Sequence, residues 1–156
     1  MEITIVKADL GHIEDCVDAL IHSDIGAIYF SDIGKTRSML ADAVQRGEVF
    51  AALCAEERCL GFVWFMPKGV FGSYPYLHVL SVKEAYRGQG IGKQLLKYFE
   101  ENASAYLSTK YFLTVDDFNI RAKKLYESLG YRQVGVLPDF YKKGTSCFLM
   151  MKEITR

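Results

Sequence analysis

Histidine is scarce in this 156-residue chain, with three in all, and the cysteines Cys16, Cys54, Cys59 and Cys147 form no close C-x-x-C pair. That supply is too thin for a structural zinc site, so no metal is expected and the thiols read as reduced. Neither charge is in excess: nineteen basic residues balance nineteen acidic ones, so no overall field draws in nucleic acid or an anionic membrane. No apolar run approaches the roughly 18 residues needed to span a bilayer. An acidic second residue with no apolar leader behind it adds to the expectation of a cytoplasmic protein without a membrane partner. Repeats, linkers and low-complexity tracts are also lacking, and one domain over 1–156 is expected, since a chain of this length buries a substantial core.

What the chain does hold is apolar and aromatic. Half of its residues are hydrophobic and 13% are aromatic, led by ten Tyr and ten Phe, which favours a packed interior over disorder. Residues 3–7 read as a strand ending near a helix cap at Asp9. Over 10–22, Ile13, Cys16, Val17, Leu20 and Ile21 recur at helical spacing. The apolar segment 25–30 has no clean period. A second helix is predicted over 35–45, with Met39, Leu40, Ala43 and Val44 buried and Gly47 as its stop.

Strands over 49–55 and 59–66 flank a short polar turn and read as a hairpin, the second ending at Pro67-Lys68-Gly69. After a turn-rich stretch at 71–75, a strand over 76–82 runs into a glycine-containing turn. The helix predicted over 90–108 carries Ile91, Leu95, Leu96, Phe99, Ala103 and Leu107 on its apolar side. A doubly covered strand at 111–115, a helix at 119–129 stopped by Gly130, and strands at 131–137 and 145–152 around a loop at 138–144 complete the order. The fold class is α/β, with a central mixed sheet flanked by helices.

The turn Arg87-Gly88-Gln89-Gly90-Ile91-Gly92 joins a strand to a helix. Its glycines allow backbone angles and close approaches that a Cβ would obstruct. The unpaired amides of the first helical turn, aided by the positive helix end, form an anion position to which Arg87 can add charge. The spacing is neither the nucleotide P-loop nor the full dinucleotide fingerprint, which would need a glycine where Leu95 stands. Taken alone, a G-x-G can equally be a flexible helix entry.

Two blocks carry a resemblance. Arg87, Gly90 and Gly92 are similar to the [RQ]-x-x-G-x-[GA] pyrophosphate motif of the GNAT superfamily of acyl-CoA-dependent N-acyltransferases, with Val82 ending the strand before it. Asn119, Ala122, Leu125, Tyr126, Gly130 and Tyr131 resemble the family's N-x-x-A-x-x-[LF]-Y-x-x-x-G-[FY] segment. The resemblance implies a single-domain GNAT-like fold with a splayed sheet. It implies acetyl-CoA or another acyl-CoA held by Leu80, Ser81, Val82, Arg87, Gly88, Gln89, Gly90, Ile91, Gly92, Asn119 and Tyr126.

It further implies transfer of an acyl group, most simply acetyl, to a primary amine in a ternary complex, with Tyr126 as the acid that protonates the departing thiolate. Asn119 reads both as a helix cap and as a polar contact to the pantetheine arm. His78 shares a strand face with Leu80 and Val82 and is the candidate base, beside attack by an already neutral amine or proton loss through water. Cys147 reads as core, against an acyl-enzyme.

The acceptor is a small-molecule amine or a peptide N-terminus. Tyr29, Phe30, Tyr74, Tyr76, Phe140 and Tyr141 supply aromatic surface for a pocket, a groove or a homodimer interface. Asp24, Asp32 and Asp139 are candidates to meet an ammonium. The alternative of another class is a non-catalytic CoA-sensing or protein-binding domain with the same fold.

Overall fold

The structure is a computed structural model and describes residues 1–104 and 108–155. Its backbone contacts fall into two compact units, Met1–Phe65 with Val79–Glu101, and Met66–His78 with Asn102–Arg156.

The first unit holds strands β1 (Thr4–Lys7) and β2 (Val49–Leu53), the start of β3 (Cys59–Val70), the end of β4 (Tyr74–Val82), and helices α1 (Ile13–Ile21), α2 (Asp24–Tyr29), α3 (Ile33–Gln45) and most of α4 (Ile91–Ser104). Its strands lie in the order β1-β2-β3-β4. β1 and β2 are antiparallel, as are β2 and β3. Asp9 caps as expected, its Oδ1 accepting from Gly11 N at 2.8 Å, but it caps a 3-10 turn, Leu10–His12, that precedes α1. The helical stripe buries Ile13, Cys16, Val17 and Leu20 against Leu40, Ala43 and Val44 of α3.

Segment 25–30, which showed no period, is helical, so three helices rather than two separate β1 from β2. Ser23 Oγ caps α2 by accepting from Gly26 N at 3.0 Å. A Cβ on Gly26 would stand 1.9 Å from the carbonyl oxygen of Leu20, so only glycine lets α2 fold back on the end of α1. α3 starts two residues earlier than predicted because Asp32 caps it, Oδ1 accepting from Lys35 N at 3.1 Å. Beneath the sheet, Phe65 stacks on Phe50 with centroids 5.2 Å apart and meets the edge of Phe99 at 5.2 Å.

β3 does not stop at Pro67 but runs to Val70. Proline's fixed φ is compatible with extended backbone and removes only a donor, which is tolerated at Pro67 because the pairing of β3 with β2 ends at Trp64. The intervening turn shrinks to 71–73, with Phe71 at φ 53° and Gly72 at φ 65°, and β4 takes in Tyr74 and Pro75. α4 begins at Ile91 and buries Ile91, Leu95, Leu96, Phe99 and Ala103. The expected Leu107 lies outside the described residues, and Ser108 is not helical but donates to the carbonyl of Lys110 at 2.9 Å.

The second unit holds the end of β3, the start of β4, β5 (Lys110–Asp116), α5 (Ile120–Ser128), β6 (Arg132–Lys142) and β7 (Thr145–Glu153), in the strand order β3-β4-β5-β7-β6. β4 and β5 run parallel, with Tyr76 opposite Phe112 and Leu77 opposite Leu113. β5–β7 and β7–β6 are antiparallel, so the sheet is mixed. β5 buries Tyr111, Phe112, Leu113 and Val115, as a doubly covered strand should.

The loop expected over 138–144 is mostly strand. A register shift between Leu137 and Lys142, with Asp139 at φ 51°, absorbs Pro138 as a bulge. The turn itself is Lys143-Gly144, with Gly144 at φ 88°. Among the described residues no helix is long and apolar enough to cross a membrane.

Candidate active site

In the first unit, β4 ends at Val82 and a 3-10 turn, Glu84–Tyr86, which the sequence pattern did not reveal, leads to Arg87. Gly88 and Gly90 take φ 76° and 84°, the left-handed region that other residues enter at a cost. A Cβ on either would meet no protein atom within 4 Å, so the space over the turn is open. Ile91 points the other way, 1% exposed, and pins the helix start in the core. Gln89 is exposed, and Gln94 N bonds to Gly90 O at 3.1 Å as the helix begins. The result is a helix N-terminus whose first-turn amides have no intrahelical partner, beside open space at Gly88 and Gly90, a geometry that fits a pyrophosphate.

Arg87 is arranged differently from the simplest expectation. Its Nε donates to Val82 O at 3.0 Å and its Nη2 to His22 O at 3.0 Å. The guanidinium therefore ties the end of β4 and the cap of α1 to the turn. Ser81 is buried, and its hydroxyl donates to Ala19 O at 2.8 Å. What remains of Ser81 for a ligand is backbone. Lys83 continues the clamp by ion-pairing with Asp15, while its amide donates to Leu60 O at 2.8 Å.

Gly61, unnoticed in the sequence, is required here as well. A Cβ on it would lie 2.7 Å from Ser81 O and 3.0 Å from Val82 Cα, so β3 can approach the end of β4 only as glycine. An isolated glycine inside an apolar strand was the available signal.

Along β4, Tyr74, Tyr76, His78 and Leu80 occupy the less buried face and Pro75, Leu77, Val79 and Ser81 the buried one. The expected grouping of His78 with Leu80 holds, although Val82 is buried.

In the second unit, Asn119 caps α5, its Oδ1 accepting from Ala122 N at 3.3 Å. Gly130 ends the helix at φ 99°, and Tyr131 N reaches back to Tyr126 O at 3.1 Å. These two ends fix Tyr126, whose ring meets Tyr131 edge-on at 6.0 Å. Tyr126 keeps some exposure as a whole residue, yet burial of its phenol pushes its pKa up to about 12. A phenol so placed stays protonated at neutral pH and is a donor.

Three hydroxyls of the second unit, two of them from the aromatic residues Tyr76 and Tyr141, form a hydrogen-bonded chain. Tyr76 Oη lies 2.8 Å from Thr114 Oγ1 and 3.0 Å from Tyr141 Oη. The His78 ring is tilted against that of Tyr76 at 5.9 Å. Burial first, and then the neighbouring Tyr141, raise the Tyr76 phenol above its ordinary range. The two-residue period of β4 sets Tyr76 and His78 on one face, and Thr114 joins Tyr76 through the parallel register of β4 and β5.

Two of the three candidate carboxylates accept from backbone amides. Asp139 Oδ1 accepts from Gly144 N at 2.6 Å, Asp32 caps α3, and Asp24 sits in the first turn of α2. Cys147 is 1% exposed, and burial, followed by the Asp116 carboxylate, pushes its thiol up to about 12. A thiol held that high is a poor nucleophile at neutral pH.

Residues 21–131 match the model of the Acetyltransferase (GNAT) family. The chain belongs to that family. An uncharacterized N-acetyltransferase of Methanocaldococcus jannaschii is 37% identical over 75 residues, covering 47% of this chain and 48% of its own. A thialysine N-epsilon-acetyltransferase of Sus scrofa is 36% identical over 74 residues, covering 47% of this chain and 44% of its own. The chain thus spans about half the length of these curated relatives. The PaiA N-acetyltransferase of Thermoplasma acidophilum, solved in complex with coenzyme A, superposes with a TM-score of 0.78 at 20% identity, covering 99% of this chain and 100% of that one. The GNAT fold, with its mixed sheet and flanking helices, is therefore the fold of this chain.

Proposed function

We propose that the chain transfers an acyl group, most simply acetyl, from acyl-CoA to a primary amine. The observation that carries this reading is the open turn at Gly88 and Gly90, with both φ values positive, no protein atom over either glycine, and a buried Ile91 anchoring the helix start. Family membership and the coenzyme A bound to the Thermoplasma acidophilum relative support coenzyme A as the occupant. The Sus scrofa relative, named for an N-epsilon acetylation, supports an amine acceptor.

In this reading the first-turn amides of α4 hold the pyrophosphate, and Arg87 keeps the turn in shape. Backbone groups of Leu80 to Val82 orient the pantetheine and steady charge on the acyl oxygen. Asn119 fixes the start of α5, and Tyr126 delivers a proton to the departing sulfur. Acyl-CoA supplies an activated thioester carbonyl. The high pKa of Cys147 favours direct transfer to the amine over an acyl-enzyme.

A matrix of acetyl-CoA and longer acyl-CoAs against polyamines, small amines and peptide N-termini, read by free thiol release, tests this. Thiol release that requires an amine is expected. Tight acyl-CoA binding with no release across the matrix would instead favour a non-catalytic CoA-sensing domain.

A further inference from the structure

Three donors from the end of β4 and the turn behind it meet one stripe of α1. Ser81 Oγ donates to Ala19 O at 2.8 Å and Arg87 Nη2 to His22 O at 3.0 Å. Lys83 Nζ donates to the Asp15 carboxylate, with Asp18 Oδ2 at 3.9 Å as a second partner. Asp15, Ala19 and His22 follow one another at spacings of four and three, which places them on one side of the helix and its cap. The last carbonyls of a helix have no partner within it, and that end carries partial negative charge. Ser81 and Arg87 therefore complete the end of α1, and α1 in turn holds them.

Two of these three acceptors are main-chain carbonyls, which any residue supplies; the third is the side chain of Asp15. The Lys83 side chain is 21% exposed, so the pair is partly shielded from water and salt. Burial opposes the charge on Lys83, but the bond to Asp15, followed by the charges of Asp15 and Asp18, outweighs it and raises its pKa. The backbone of Lys83 is held as well, its amide donating to Leu60 O at 2.8 Å and its carbonyl accepting from Tyr86 N at 2.9 Å. Lys83 is thus the pivot at which the chain leaves β4 for the 3-10 turn and the glycines.

We propose that Asp15 is a positioning residue for acyl-CoA binding: by holding Lys83 against α1, it sets the course of the chain into the Arg87 to Gly92 turn. The inference rests on the transferase reading above, which makes acyl-CoA the occupant of that turn. Asp15 acts through Lys83 and not on the ligand. A lysine at the entrance to such a turn has a second possible use, as a direct partner of phosphate, and the two roles predict opposite signs. Were Lys83 a phosphate partner, Asp15 would compete for it, and removing the carboxylate would tighten binding. With Lys83 anchored on α1, removing Asp15 releases the pivot and weakens binding.

Calorimetric titration with acetyl-CoA tests this without knowledge of the acceptor. Asp15→Asn, nearly isosteric, should raise the Kd about tenfold, and Lys83→Met should do the same. The double variant should bind no worse than either single one, because both remove the same bond. Asp15→Glu should recover most of the affinity, and kcat of Asp15→Asn at saturating acetyl-CoA should equal that of the wild type. Circular dichroism at the titration temperature checks folding, and Lys83→Met reads the bond from its other end should Asp15→Asn not fold. Unchanged or tighter binding by a folded single variant, additive losses in the double variant, or a fall in kcat at saturation overturns the positioning role and leaves the transferase reading standing. A wild type that binds no acetyl-CoA overturns both.

Discussion

The guanidinium of Arg87 donates to the carbonyl of His22 at 3.0 Å and so fastens the glycine turn before α4 to the C-terminal cap of α1. A second bond to Val82 O fixes the same turn to β4. Arg87, which reads as a phosphate ligand in the sequence, thus braces the backbone of this turn.

Arg87→Gln should accordingly weaken acetyl-CoA binding by about tenfold, the equivalent of about 1.4 kcal/mol. The dependence of affinity on salt should stay as in the wild type, because no phosphate ion pair is lost. Calorimetric titration at two ionic strengths checks this. A clearly flatter salt dependence in the variant would put the guanidinium on a phosphate.

Gly90→Ala isolates the backbone requirement. With φ at 84° and no atom within 4 Å of the added methyl, the penalty is torsional, about 1–2 kcal/mol. A lower melting temperature and a weaker Kd for acetyl-CoA are expected together. Gly92→Ala, whose methyl would sit 3.7 Å from Leu80 Cδ2, an ordinary contact, should be milder. Equal effects at the two positions would contradict the torsional account.

Tyr126→Phe should lower kcat by about 100-fold while leaving acetyl-CoA affinity unchanged. Because burial raises the phenol to about 12, it remains an acid throughout the working range. Loss of this acid should appear only as the pH approaches 12. The same shift has a consequence for stability. The raised folded pKa means that the contribution of the neutral phenol is complete below the unfolded value near about 10 and declines as the pH rises through the folded one. Alkaline melts should therefore show the wild type losing stability relative to Tyr126→Phe above about pH 10. A wild-type kcat that falls near pH 8 with every acceptor would show that another group is the acid.

Cys147→Ala should keep its turnover, since the buried thiol, raised to about 12, forms no acyl-enzyme. Loss of acyl transfer with a folded variant, or a covalently acylated protein detected by mass spectrometry in the wild type, would reverse that conclusion.

Much of this was legible in the sequence because the informative signals are local. Helical periodicity located α1, α3 and α4, and caps at Asp9 and Asn119 together with the stop at Gly130 follow from single residues. What escaped depends on partners far along the chain. α2 is six residues long, too short to display a period, and is stabilised by the Ser23 cap and by Gly26 against α1. β6 passes through Pro138 because its pairing with β7 tolerates a bulge, which Pro and Asp side by side conceal as a loop. The Tyr76–Thr114 bond joins residues on neighbouring parallel strands, and no spacing in the chain announces that register. Nor could the sequence say that Asp32 and Asp139 were committed to backbone amides.

The closeness of Gly26 to Leu20 sets how this corner of the molecule can diversify. With 1.9 Å available to a methyl group, the angle between α1 and α2 is fixed for any descendant that keeps both helices. Sequence change at this edge is therefore confined to side chains such as Tyr29 and Phe30 on an unchanged backbone, and substitutions there should leave the elbow itself superimposable.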